Sequence, residues 1–117
     1  MTILLETINT PESGLLDINI QISANIQVSP LEARRQVSIF VTHYIADLLH
    51  GDIPNLVWRK EGVYWRVPVI LSSPSKGRIG LIGTIDVDIE TGKLLITKTH
   101  QDKIEQEAQR LAECVSL

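Results

Sequence analysis

Three acidic side chains, Asp86, Asp88 and Glu90, fall at alternate positions, and in a strand this spacing points the first two to one side, about 6.5 to 7 Å apart. Oxygen ligands placed in this way suit a hard cation, and paired carboxylates suit acid–base work. The calcium-loop pattern is nevertheless not met. With Asp86 in first place, Gly92 stands seventh instead of sixth, and Thr97 occupies the twelfth place, where a glutamate is required. Carboxylates before Thr91-Gly92 are also what a turn at a strand exit selects, and this structural reading is preferred. The other chemical residues are sparser. His43 and His50 lie seven positions apart, about 10 Å along a helix and too far to share a metal. His100 stands where a strand gives way to a helix and reads as solvated or capping. Cys114 has no histidine arranged to activate it and reads as a small residue at a helix edge. Gly80 and Gly83 give only G-x-x-G within a strand pattern, without the strand, loop and helix order of a phosphate cradle. No catalytic residue, metal site or cofactor is expected.

A different chemistry is suggested around Glu61-Gly62, where Trp58, Tyr64 and Trp65 interleave with Arg59, Lys60 and Arg66. Aromatic and arginine side chains together are enriched in the energetic centres of protein interfaces. The expected interface residues are Trp58, Arg59, Tyr64 and Arg66, joined by Leu111 from a terminal helix. The alternative is that Trp65 is core and that Trp58 and Tyr64 cap a sheet edge.

The elements that would position these residues follow from periodicity. Between Leu16 and Val28 every even position is apolar and every odd one polar, which predicts a long half-buried strand, bent near Ala24 or Asn25. Ser29, Pro30 and Glu32 spell a helix start. Apolar residues from Ala33 to Leu49 recur at three and four, so a core helix is expected over about 30–50, closed by Gly51. Strands follow at Leu56–Lys60, Val63–Ser72, Ile79–Ile89 and Leu94–Thr97, the first two joined by a hairpin at Glu61-Gly62. Pro68 demands an edge or a bulge in its strand. Ile79, Leu81, Ile85, Val87 and Ile89 are expected on one face. Thr99 and Asp102 approximate a capping box, and Ile104, Ala108, Leu111, Ala112 and Val115 predict an amphipathic helix over about 101–115. Residues 1–14 read as an arm or short strand. The resulting fold class is α+β, an antiparallel sheet of four to five strands with both helices on one face.

At 117 residues, with 44% hydrophobic and 21% charged positions, the chain reads as one domain able to fold on its own core. Its single cysteine excludes an internal disulfide and fits a reducing compartment. Met1 to Thr10 lacks the basic start and apolar core of a secretion signal, and no 18 apolar residues run together, so a cytoplasmic protein with no membrane span is expected. The net charge of −3 divides into −4 over residues 1–54, +3 over 55–103 and −2 over 104–117. A field that weak does not suit phosphate neutralisation, so nucleic acid is not an expected partner.

Ser29-Pro30 with Ala33 opening a helix, Trp65-Arg66-Val67 in a strand, and Ile85-Asp86-Val87-Asp88 followed by Glu90-Thr91-Gly92-Lys93-Leu94 together resemble the PepSY-like pattern. In that pattern a helix leads into strands that end in a Val-Asp-x-x-Thr-Gly turn. The resemblance covers residues 29–97 and implies a small binding module of the kind that restrains peptidases. It extends to short bacterial proteins that look like the neutralising half of a toxin–antitoxin pair. The chain departs from the pattern by adding the long alternating segment before the helix. The leading expectation is therefore a non-enzymatic protein-binding module, PepSY-like or antitoxin-like, restraining or scaffolding a partner protein and forming a homodimer. The alternative is a small metal-binding or enzymatic domain using Asp86, Asp88 and Glu90.

Overall fold

The computed structural model describes residues 3–6 and 12–116. Its elements run β1 (Ile3–Leu5), α1 (Pro30–Tyr44), β2 (Leu49–Gly51), β3 (Asn55–Arg59), β4 (Gly62–Ser73), β5 (Gly77–Asp88), β6 (Leu94–Leu95) and α2 (Lys98–Cys114). The sheet order is β1-β3-β4-β5-β6, and β2 also pairs β4. The fold is α+β, but the sheet is mixed and not purely antiparallel, because β1 runs parallel to β3. The expected arm supplies this edge strand. The rest of that arm as far as Pro11 lies outside the described residues.

Trp65, Val67, Val69 and Leu71 of β4 line one face with Ile85 and Val87 of β5, and Ala33, Val37 and Val41 of α1 and Ile104 and Ala108 of α2 pack onto it. Both helices thus share one face, and burial of this apolar surface is the main force holding the layers together. Gly83 and Gly80 let α2 approach closely, since a methyl on either would meet Ile104 or Leu111 at 3.1 Å.

The long helix begins as its sequence directs. Ser29 is the N-cap, its Oγ accepting the Glu32 N–H at 3.1 Å, and Pro30 follows. It ends at Tyr44, six residues before the expected stop, because Leu49–Gly51 serves as a strand instead. Leu49 pairs Leu71 and Gly51 pairs Val69. The outer edge of β2 is closed by α1: Ser38 Oγ accepts the Gly51 N–H at 2.8 Å, Arg34 Nε donates to the Gly51 carbonyl at 3.0 Å, and Thr42 Oγ1 donates to the Leu49 carbonyl at 3.0 Å. An edge bonded in this way offers no template to another strand. Helix α2 starts at Lys98 and not near residue 101, because the extended Thr97, and not Thr99, is its cap, with Oγ1 accepting the His100 N–H at 3.1 Å. Among the described residues no helix is long and apolar enough to cross a membrane.

Pro68 resolves as an edge within the sheet. Along β4, even-numbered residues turn their backbone groups toward β3 and β2, as the bond from Asp52 N–H to the Pro68 carbonyl shows. Pro68 falls in the gap between Arg66, where β3 pairing ends, and Val69, where β2 pairing begins. Its missing N–H therefore removes no ladder bond. Opposite it, the β4–β5 register shifts between Val69 and Ile70 and again between Leu71 and Ser72. The first shift turns Ile82 into the core and leaves Leu81 exposed, reversing the expected order on that strand.

The largest departure is the alternating segment. Among the described residues, 12–26 form no strand and no hydrogen bond, and the apolar side chains stay exposed, from 37% at Ile20 to 86% at Leu15. Only its end is tied down. Gln27 and Val28 N–H both donate to the Ile89 carbonyl at 2.9 Å, and Trp65 Nε1 donates to the Val28 carbonyl at 2.7 Å. A period of two specifies a surface able to pair, not the strand that pairs with it.

The crossing of α1 and β2 gives a test. A methyl on Gly51 would sit 2.9 Å from Val67 Cγ1 and 3.0 Å from the Arg34 carbonyl oxygen. Neither can yield without moving backbone or core, so Gly51→Ala is expected to cost about 1–3 kcal/mol, read as a lowered midpoint in urea unfolding with an unchanged slope.

Candidate functional site

The face of the sheet turned away from the helices gathers the charged residues. Pairing places Arg66 beside Asp86 across β4 and β5, and Arg59 at the end of β3 opposite Gly62. Arg66 grips Asp86 with two parallel bonds, Nε to Oδ1 at 2.8 Å and Nη2 to Oδ2 at 2.9 Å. Arg59 Nη1 adds a third to Oδ2 at 3.0 Å, and Arg66 Nη1 also donates to Glu6. The Asp86 side chain is only 7% exposed. A carboxylate this enclosed is tolerated because three charge-assisted N–H bonds replace its water.

The second carboxylate completes the network from β1. Glu6, whose N–H donates to the Trp58 carbonyl at 2.9 Å, is held below its ordinary carboxylate value. The hydrogen bond from Arg66 is the main cause, and the charges of Arg66 and Arg59 add to it against partial desolvation. Arg66 is correspondingly pushed above its ordinary value, by its bonds to Asp86 and then to Glu6. Tyr64 is buried beneath the network with the Arg59 guanidinium 5.5 Å from its ring centroid, a cation–π distance. Burial pushes its phenol upward. Beside the network lies an open cleft of about 590 Å³ lined by Arg59, Arg66, Asp86, Lys93, Thr97 and His100, among others.

The aromatic and basic residues expected at an interface are therefore divided. Arg59, Tyr64 and Arg66 come together on this face, with the arginines tied to carboxylates. Trp58 pairs Val63 and Leu5 on the helix side, and Leu111 packs over Gly80 against the core. Trp65 is core. The acidic triplet is divided too. Asp86 is held by two arginines, and Asp88 Oδ1 accepts the Glu90 and Thr91 N–H groups at 2.8 and 3.1 Å, shaping the turn that Gly92 completes with positive φ. Among the described residues no group of three or more His, Cys, Asp or Glu side chains is placed to hold a metal ion.

The surface not singled out by chemical residue type is the segment before α1. Leu15, Leu16, Ile18, Ile20, Ile22 and Ile26 are all exposed along a stretch that carries one charge, Asp17. Its signal is the alternation itself, which predicts a strand half-buried on this chain's own core. Monomeric proteins seldom leave so much contiguous apolar surface in water.

Two outcomes follow for the charged network. Asp86→Asn leaves two arginines facing a neutral amide and is expected to destabilise by about 3 kcal/mol, whereas Glu61→Gln, which removes an exposed partner of Arg59, should change stability by less than about 0.5 kcal/mol. Thermal unfolding of the two variants compares them directly. Because the folded-state value of Glu6 is depressed, its contribution is complete above the unfolded value of about 4.3 and is lost as pH falls through the folded one. Stability measured from about pH 5 down to about pH 3 should therefore fall less steeply in Glu6→Gln, which should start from a lower stability at pH 7.

Compared with known proteins, this chain is matched by no family model, no curated protein and no solved structure.

Proposed function

We propose that this chain is a non-enzymatic protein-binding module, acting in the cytoplasm as a homodimer and restraining or scaffolding a partner protein. The observation that carries the reading is the exposed alternating segment: six Leu and Ile side chains stand in water on a stretch with no ladder of its own. An extended chain with one apolar face is the element by which proteins add a strand to another sheet. The PepSY-like pattern over residues 29–97 supports the same class of role, and so does the antitoxin-like one. Arg59 and Arg66 support it differently from the way their sequence suggested, since their ion pairs stiffen the sheet that carries the segment. The exposed free thiol of Cys114 is compatible with a reducing cytoplasm.

Native complexes purified on the tagged chain, compared with those on an Ile18→Ser, Ile20→Ser, Ile22→Ser variant, test this reading. The substitutions lie on exposed positions and are expected to leave thermal stability within about 1 kcal/mol of the parent. A stoichiometric protein held by the parent and lost by the variant is the expected result. The absence of any stoichiometric partner, together with the absence of self-association, would overturn it.

A further inference from the structure

We propose that residues 16–26 pair antiparallel with the same residues of a second copy, about a two-fold axis at Gln21. This rests on the protein-binding reading and names the first occupant of the segment. The pattern is self-complementary. In that register Leu16 lies opposite Ile26, Ile18 opposite Ala24 and Ile20 opposite Ile22 on one face, while Asp17 meets Asn25, Asn19 meets Ser23 and Gln21 meets its own copy on the other. Apolar side chains meet apolar ones, and amides meet groups they can hydrogen-bond, which is how cross-strand pairs stabilise a ribbon.

Charge selects the direction. Asp17 is the only charged residue between Leu15 and Val28. An in-register parallel pairing sets the two Asp17 carboxylates side by side, a destabilising contact, whereas the antiparallel one separates them by eight residues, about 27 Å. No glycine or proline interrupts Leu15 to Ser29, so no residue breaks the ladder along the paired edge. Within residues 16–26 the exposed apolar side chains are Leu16, Ile18, Ile20, Ile22 and Ile26, and pairing joins them into one continuous apolar face across both copies. The bonds from Gln27, Val28 and Trp65 hold the ribbon to each body at its root.

The test uses the full chain in a Cys114→Ser background. Sedimentation at tens of micromolar should give twice the 13.1 kDa chain mass, and Ile20→Arg should give the monomer with thermal unfolding still cooperative. Gln21→Cys should cross-link to a dimer under mild oxidation, because the two sulfurs meet on the axis. Asn19→Cys alone should not, its sulfurs standing about 14 Å apart, but mixing it with Ser23→Cys should restore the cross-link. A monomer at these concentrations overturns self-pairing, and so does a dimer that survives Ile20→Arg. Equal cross-linking of Gln21→Cys and Asn19→Cys overturns the register. A monomeric parent that nevertheless holds a foreign protein through residues 16–26 defeats this proposal and leaves the protein-binding reading standing.

Discussion

Everything in this fold depends on one strand being paired along both edges. β4 bonds β5 along its whole length on one side and, on the other, β3 over its first half and β2 over its second. The side chains that cover the core come from its odd positions, and the ionic pairs come from its even ones. Pro68 sits where β3 has ended and β2 has not begun, the one place on that edge where a residue without an N–H costs no bond. The seam also explains why the helix stops early. Leu49 to Gly51 must reach β4 beyond Pro68, and only a glycine can pass between Val67 and the Arg34 carbonyl while doing so.

The opposite face is held by charge as well as by the burial of Val57 and Tyr64. Asp86 and Glu6 bring together β1, β3, β4 and β5 through two arginines, so the parallel edge strand is fastened by side chains as well as by its ladder. Such networks are costly to break and cheap to leave intact. Arginines engaged in this way are part of the scaffold, and a ligand seeking them would have to displace two carboxylates that already fit them.

Much of this was legible. The Ser29 cap, the Glu61-Gly62 hairpin, the core face of β4 and the turn at Asp88 are local matters of spacing and turn chemistry, and short-range chemistry decides them. What was not legible is non-local. Leu49 to Gly51 continue the apolar stripe of α1 in sequence, and only the vacant half of the β4 edge converts them to a strand. Leu81 and Ile82 exchanged faces because a bulge inserts one residue, which no alternation rule contains. That Arg59, Tyr64 and Arg66 share a face without Trp58 is set by the pairing of β3 with β4, and the Asp86 and Glu6 partners of Arg66 lie 20 and 60 positions away in sequence. The alternating segment reads as a strand on this chain's own core, and residues 12–26 form none, because a period of two specifies an apolar face and not what covers it.

On the proposed reading, the exposed segment is the one strand that the body formed by the closed β2 edge and the ionically braced face offers to another chain. Amide hydrogen exchange at Ile18, Ile20 and Ile22, followed across protein concentration, tests that description most directly. The account predicts slow exchange at tens of micromolar that accelerates on dilution, while the amides of β4 and β5 keep their protection. Free exchange at these three amides at every concentration would contradict it, and so would protection that is independent of concentration.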